Sequence, residues 1–186
     1  MKELETKIID IDLGSIRAKI NSLNLEKVKC ENQINNIFDF PNKSLLSKKG
    51  YARVRSVEDL LNNKVKYYMT TKKMISQDKF KVMEEVEIEV NDGDEAIKLF
   101  QSLGLELIGS IKKYRESYKY KNSLIEIDIN DESFCPFPYI EVETSTEEEL
   151  KEVVELLGYT MEDTSSKTIY DILNEKGISP KSPSGI

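Results

Sequence analysis

The 186-residue sequence contains no histidine and no tryptophan, and it has only two cysteines. Without histidine the chain cannot build a Ser-His-Asp or Cys-His relay, nor the common zinc sites that use imidazole ligands. Acid–base chemistry is therefore left to Glu, Asp, Lys or Tyr side chains. Cys30 and Cys135 lie far apart and in no CxxC pair, so the sequence predicts neither a disulfide framework nor a thiolate metal site.

Basic side chains are outnumbered, with 27 Lys and Arg against 34 Asp and Glu and a net charge of −7. This balance argues against a nucleic-acid or membrane-surface partner, because such partners require a net basic face. The sequence has no apolar run near the ~20 residues of a membrane span, and its first residues lack the apolar stretch of a signal peptide. We therefore expect a cytoplasmic protein.

The dominant pattern is strict two-residue alternation, which places successive side chains on opposite faces of a strand. Ile125, Ile127 and Ile129, for example, alternate with Glu126 and Asp128. Eight such segments predict a mainly β protein of the α+β class, with helices between the strands. The helical segments are 14–23, 93–103, 146–157 and 166–175.

The hydrophobic content of 39% suits one core, so we expect a single domain over residues 1–175. The remaining segment, 176–186, is rich in Pro, Ser and Gly, and we expect it to be a mobile C-terminal tail.

The polar faces of the predicted strands carry charges of one sign at a time. Glu85 and Glu87 share one face, for example, and Arg53 and Arg55 share another. Solvated strand faces would explain any single pair. The whole set is better explained if the strands close into a barrel, with the apolar faces turned outward to helices and the charged faces lining the lumen.

Such a lumen would suit phosphoryl chemistry. Carboxylate oxygens are the ligands preferred by Mg²⁺ or Mn²⁺, and arginine and lysine side chains bind phosphate oxygens. Several cations in one lumen would hold a chain of phosphates rather than a single phosphate, and the metal ions would activate the attacking water.

The charged pairs also carry a family resemblance. Glu3-Leu-Glu-Thr-Lys7 resembles the ExExK motif of the CYTH superfamily, the triphosphate tunnel metalloenzymes, which include class IV adenylyl cyclases, thiamine triphosphatases and inorganic triphosphatases. The motifs that follow in the family's order are Arg53-Val-Arg55, Lys72, Glu85-Val-Glu87, Lys113-Tyr-Arg115, Asp128, Glu141-Val-Glu143 and Ser166-Lys167-Thr-Ile-Tyr170.

The resemblance implies a closed tunnel of eight antiparallel strands with helices packed on its outside, which binds a linear triphosphate and divalent cations. The implied metal ligands are Glu3, Glu5, Asp128, Glu141 and Glu143. The implied triphosphate-binding residues are Lys7, Arg53, Arg55, Lys72, Lys113 and Arg115, together with Lys167, which would close over the substrate. Lys7, Lys72, Glu85 and Glu87 are the implied catalytic residues, with the two glutamates orienting basic side chains or contributing to a metal.

The resemblance leaves the reaction open, because hydrolysis and cyclisation use the same tunnel. A hydrolase attacks the terminal phosphorus with water, whereas a cyclase attacks the α-phosphorus with the ribose 3′-hydroxyl and releases pyrophosphate. Cyclase-like members often carry a His-Phe pair, and this chain has no histidine, which favours a triphosphatase. Inorganic triphosphate, thiamine triphosphate and nucleoside triphosphates are all candidate substrates.

Two other classes of protein are alternatives to the enzyme hypothesis. A noncatalytic polyphosphate- or nucleotide-binding module would keep the basic residues, but the intact acidic pairs favour an enzyme. A lipocalin-like carrier would have an apolar lumen, which the charged alternation argues against. The expected partner is a triphosphate-containing small molecule, and whether the chain forms a homodimer is left open.

Overall fold

The structure is a computed structural model that describes residues 2–77 and 81–179. Within these ranges the chain forms nine strands, four α-helices and two short 3-10 helices. The strands are β1 (Lys2–Ile8), β2 (Glu26–Asp39), β3 (Tyr51–Asp59), β4 (Lys64–Gln77), β5 (Lys81–Val90), β6 (Glu106–Tyr120), β7 (Ser123–Asn130), β8 (Tyr139–Thr144) and β9 (Thr164–Ser165). The helices are α1 (Leu13–Ser22), α2 (Gly93–Ser102), α3 (Glu147–Leu156) and α4 (Ile169–Glu175).

Eight of the strands close into an antiparallel barrel in the order β5-β4-β3-β2-β6-β7-β8-β1, and β1 pairs with β5 to complete the ring. The closed eight-stranded barrel predicted from the sequence is thus confirmed. The two-residue β9, which the sequence did not indicate, pairs with the end of β1 at Lys7 and Ile8, beyond the β1 residues that pair with β5.

The hydrophobic core lies between the outer surface of the barrel and the helices. Ile125 and Ile127 on β7 are fully buried against α3 residues such as Leu150. On the other side of the barrel, Phe38 and Val54 pack with Phe100 of α2. Because side chains alternate along each strand, burial of these apolar residues on the outside turns the charged residues into the lumen.

No helix among the described residues is long and apolar enough to span a membrane. The cytoplasmic location stays a prediction. Cys30 and Cys135 are both free thiols. The domain boundary also stays a prediction, since residues 180–186 of the expected tail lie outside the described residues. Lys176, the first residue of the expected tail, forms an ion pair with Asp10 at 2.9 Å.

A buried carboxylate shapes the loop between β2 and β3 at one end of the barrel. Asp39 is fully buried, and its side chain accepts hydrogen bonds from the backbone N–H groups of Phe40, Leu45 and Leu46 at 2.7, 2.9 and 2.8 Å. These bonds hold residues 40–46 in a compact turn beside the barrel end.

We expect Asp39→Ala to lower the free energy of unfolding by about 1–3 kcal/mol, because three backbone donors lose their acceptor. Urea denaturation measures this change, and Asp94→Ala on the exposed start of α2 is the matched control. Equal stabilities of the two variants would contradict the role assigned to Asp39.

Candidate functional site: a charged tunnel

The barrel encloses a cavity of about 1190 Å³ that is lined by side chains from all eight barrel strands and from the start of α4. Charged lining positions on several strands are two residues apart, as in Arg53 and Arg55 on β3 and Glu141 and Glu143 on β8. Two-residue alternation along a closed sheet therefore brings charges that are distant in sequence into one tunnel.

Six predicted basic residues come together in this tunnel, and we call them the basic cradle. The cradle consists of Lys7, Arg53, Arg55, Lys72, Lys113 and Arg115. Arg53 and Arg115 are 5% and 6% exposed, and Lys7 is 4% exposed. The structure therefore gathers the cations as expected, while their binding of triphosphate stays a prediction.

Glu85 and Glu87 hold two members of the cradle in place. Arg53 Nη2 lies 3.3 Å from Glu85 Oε1 and 3.2 Å from Glu87 Oε2, and it also donates to Thr70 Oγ1 at 3.1 Å. Lys72 Nζ lies 2.8 Å from the other oxygen of Glu85. Of the two roles that the sequence left open for these glutamates, the contacts favour orienting the basic residues.

Asp128 also pairs with the cradle. Arg115 donates to both oxygens of Asp128, from Nε at 2.6 Å and from Nη2 at 2.7 Å, and Lys113 Nζ lies 2.9 Å from Oδ2. This bidentate pair is a strong, geometrically specific interaction. These contacts give Asp128 a positioning role toward two cations, and the metal-ligating role that the resemblance implied stays a prediction.

Three carboxylates form the candidate metal site, and we call Glu126, Glu141 and Glu143 the acidic trio. One oxygen from each lies within 4.8 Å of the others. Register explains the grouping, since Glu126 of β7 lies opposite Glu141 of β8, and Glu143 is two residues further along the same face. An oxygen-only donor set of this kind fits a hard divalent cation such as Mg²⁺ or Mn²⁺.

The acidic trio carries more negative charge than its surroundings neutralise. Burial and the neighbouring carboxylates of Glu126 and Glu141 raise the pKa of Glu143 to about 7. Lys7 and Arg115 contact Glu141, at 2.6 and 3.1 Å, and hold the pKa of that carboxyl well below its usual range even though burial opposes them. A bound divalent cation would neutralise the surplus charge on Glu143.

Glu5, a predicted metal ligand, lies beside the trio but is paired with cations in this structure. It is directly opposite Glu143 in the β1–β8 register. Its carboxylate contacts the ammonium group of Lys81 and lies 3.8 Å from those of Lys7 and Lys72. The backbone of Glu3 pairs with β5, but its side chain lies outside the described part of the structure.

Crowding of like charges marks the centre of the basic cradle. Burial and repulsion by Arg115 lower the pKa of Lys113 to about 8. Burial with repulsion by Arg53 and Arg115 lowers the pKa of Arg55 to about 10. Among the described residues Arg55 makes a hydrogen bond to the Asn35 amide oxygen, at 2.9 Å, and no ion pair. An anion bound here would relieve the repulsion at both residues.

Lys167 is a predicted site residue that does not line the cavity. Its ammonium lies 2.6 Å from Glu175 and its side chain is 49% exposed. The adjoining residues Tyr170 and Asp171 line one end of the tunnel instead. The contacts thus give Lys167 a surface ion pair, and its closure over a substrate stays a prediction.

Sequence reasoning missed Glu126 and Lys81. Glu126 is fully buried and lies two residues before Asp128 on the same strand face, so the alternation that singled out Asp128 applied to it equally. Lys81 is 9% exposed, and Lys79 stands two residues before it in the sequence, so the like-charge spacing that singled out the other basic pairs applied to it as well. Its contact with Glu5 arises from the β1–β5 pairing that closes the barrel.

A closed antiparallel barrel whose lumen holds both a basic cradle and an acidic trio is the class of protein that the fold and the site define. The CYTH domain model matches residues 1–169, and the chain therefore belongs to the CYTH family. No curated protein matches the sequence.

Solved structures share the fold of this chain. A Pyrococcus horikoshii protein is 27% identical, with a TM-score of 0.74 over 91% of this chain and 98% of that one. A Pyrococcus furiosus protein is 26% identical, with a TM-score of 0.73 and the same coverage. A Hippeastrum protein for which a dominant triphosphatase activity is described is 18% identical, and its TM-score of 0.63 shows likeness of fold over 100% of this chain and 91% of that one.

We expect Glu143→Gln to stabilise the metal-free protein at pH 8 by about 1–3 kcal/mol. The folded state holds a proton on Glu143 that the unfolded chain releases between pH 4.5 and about 7, so the wild type loses stability as the pH rises through this window. Glutamine mimics the protonated carboxyl, and the gain should shrink as the pH is lowered toward 5.

Denaturation in EDTA at several pH values measures this difference. Glu84→Gln, at an exposed position on β5, is the matched control. A Glu143→Gln gain that is independent of pH would show that the trio does not hold surplus charge.

Proposed function

We propose that this protein catalyses the divalent-metal-dependent hydrolysis of a triphosphate inside its tunnel. The observation that carries the proposal is that the basic cradle and the acidic trio are in direct contact, at Lys7 and at Arg115. Arg115 contacts Glu126 and Glu141 of the trio and also pairs with Asp128, so a polyanion on the cradle would lie beside a cation on the trio.

The basic cradle supplies the charge and geometry that a chain of phosphates requires. Arginine offers a planar fork of donors to phosphate oxygens, and lysine offers a compact charge. The lowered pKa values of Lys113 and Arg55 support an anion site, because these cations are crowded together without full neutralisation by carboxylates. Ordered partners such as Asp128 and Glu85 keep the donors aimed before the substrate arrives.

The acidic trio, with Glu5 opposite it, would hold Mg²⁺ or Mn²⁺. When bound, such a cation neutralises charge on nonbridging phosphate oxygens and lowers the pKa of water. The remaining catalytic task of the chain is to orient the phosphates in line for attack. Lys7 and Lys72 lie close to the carboxylates, because Lys7 Nζ is 2.6 Å from Glu141 Oε1 and Lys72 Nζ is 2.8 Å from Glu85 Oε2.

The inward orientation of the cradle supports a small-molecule ligand. Its cations lie inside the barrel, where neither a nucleic-acid duplex nor a membrane surface could reach them. The triphosphatase activity described for the Hippeastrum protein supports hydrolysis over cyclisation, as does the lack of histidine.

We expect the purified protein with Mg²⁺ or Mn²⁺ to release orthophosphate from a panel of inorganic triphosphate, thiamine triphosphate and ATP. Products should be resolved by ion chromatography. Release of pyrophosphate from ATP would indicate cyclisation in place of hydrolysis, and metal-independent binding with no turnover would indicate a binding module.

Glu126→Gln and Glu143→Gln should each raise the Mg²⁺ or Mn²⁺ concentration for half-maximal activity by about tenfold or more, because each removes one charged ligand oxygen from the trio. A metal titration of activity, with folding checked by circular dichroism, measures this effect. Glu84→Gln again serves as the control. An unchanged metal requirement in both trio variants would place the metal elsewhere.

Arg55→Gln should weaken triphosphate binding by roughly tenfold to a hundredfold, because a charged donor to phosphate is lost. Isothermal titration calorimetry without metal measures the affinity directly. Arg17→Gln is the matched control, since Arg17 lies on α1 outside the barrel and contacts Glu116 at 2.9 Å. Equal affinities in the two variants would remove Arg55 from the proposed cradle.

A further inference from the structure

The loop between β2 and β3 carries charge of one sign. Residues 40–50 contain Lys43, Lys48 and Lys49 and no acidic residue. We call residues 40–50 the lysine loop. The whole chain, by contrast, has 34 acidic side chains against 27 basic ones and a net charge of −7. The charge of the lysine loop is thus opposite in sign to that of the protein as a whole.

The lysine loop lies at one opening of the tunnel. Lys43 and Lys49 line the cavity and are also exposed to solvent, as is Lys48 beside them. The loop ends at Gly50, where a Cβ would lie only 2.6 Å from the carbonyl oxygen of Lys72. Glycine permits this close approach, which places the loop directly against a strand of the basic cradle. A ligand that enters at this opening therefore passes the lysine loop before it reaches the cradle.

Hydrogen bonds fix the backbone of the lysine loop. The Asp39 carboxylate accepts three of them from backbone N–H groups of the loop. Within the loop, the N–H groups of Lys49 and Gly50 donate to the carbonyl oxygens of Leu46 and Leu45 at 2.8 and 2.9 Å. Because the backbone is held in this way, the three ammonium groups stay near the opening even though their side chains are exposed.

Ion pairs do not use up the charge of the lysine loop. Among the described residues, Lys49 donates a hydrogen bond to the Gln77 amide oxygen, but no lysine of the loop forms an ion pair. Asp171 lies near Lys49 and Asp39 lies near Lys43, both at longer range. Each of these carboxylates already accepts hydrogen bonds from backbone N–H groups. The lysines are therefore available to an approaching anion.

The net charge of the chain opposes the approach of a polyanion. At long range a charge of −7 repels such a ligand. At physiological ionic strength, however, the Debye length is about 8 Å, so the charges nearest to the opening dominate the potential that the ligand meets there. A patch of favourable sign at the entrance of a site raises association rates by about 10- to 1000-fold.

Resting on the proposed function, we propose that the lysine loop is an electrostatic guide, which draws the polyanionic substrate into this end of the tunnel and so sets its association rate. The phosphates enter past Lys43 and Lys49 and then move inward onto the basic cradle. Because the cradle holds the bound substrate, the loop changes the rate of association and leaves the rate of dissociation nearly unaltered.

The test measures the binding rates of inorganic triphosphate without metal in the wild type and in Lys43→Gln/Lys48→Gln/Lys49→Gln. Stopped-flow tyrosine fluorescence gives both rates, since Tyr51 and Tyr139 line the cavity, and calorimetry gives the affinity independently. In about 20 mM KCl the association rate of the triple variant should fall about tenfold. In about 200 mM KCl the difference should shrink, because salt screens exposed charges.

The control variant is Lys98→Gln/Lys121→Gln/Lys151→Gln. It removes the same amount of charge at exposed positions on α2, the β6–β7 turn and α3, none of which lines the cavity. Its association rate should fall by less than about twofold. The variant Lys43→Arg/Lys48→Arg/Lys49→Arg, which keeps the charge, should retain the wild-type rate. Thermal denaturation checks that all three variants are folded.

Equal association rates in the loop variant and the control variant would overturn the guide. A loss of affinity that comes from faster dissociation would also overturn it, since the lysines would then be ligands of the bound substrate. Absence of binding by the wild type would overturn it as well. These measurements need no turnover, so turnover with equal association rates sinks the guide alone, whereas guided binding without turnover sinks hydrolysis alone.

Discussion

The rest of the structure depends on one constraint: the charged side chains that face the inside of the closed barrel must be neutralised. In an open sheet, Arg53, Lys72 or Glu141 would be solvated and their ion pairs would contribute little. Once β1 pairs with β5, the same side chains are withdrawn from water, and each requires partners to offset its desolvation. The short contacts of Asp128, Glu85 and Glu141 with lysine and arginine meet that requirement.

Neutralisation is incomplete in two places, and both places point to ligands. Glu143 has a raised pKa beside two further carboxylates, and Lys113 and Arg55 have lowered pKa values beside other cations. Stability alone would favour removing such groups, so their retention is consistent with a site adapted to a cation and an anion together. The outer apolar face, buried beneath α1, α2 and α3, stabilises the barrel that holds these charges close together.

Much of the fold and of the basic cradle was predictable because strand alternation is a local property. Arg53 and Arg55 share a face in any extended strand, and the apolar face of β7 needs a covering layer wherever the strand lies. The contacts across the lumen were not predictable in the same way. Lys81 reaches Glu5 through the pairing of β1 with β5, and Lys167 pairs with Glu175 because of the way α4 follows it.

The sequence by itself determined the strands, their charged and apolar faces, and the family to which the chain belongs, since period and motif spacing are written along the chain. Only the tertiary structure decided which carboxylates lie together. Asp128 forms a bidentate pair with Arg115, whereas Glu126, which also contacts Arg115, lies with Glu141 and Glu143, although Glu126 and Asp128 occupy equivalent positions on one strand face. The physical reason is register, because the residue directly across the sheet sets which charges come within contact distance.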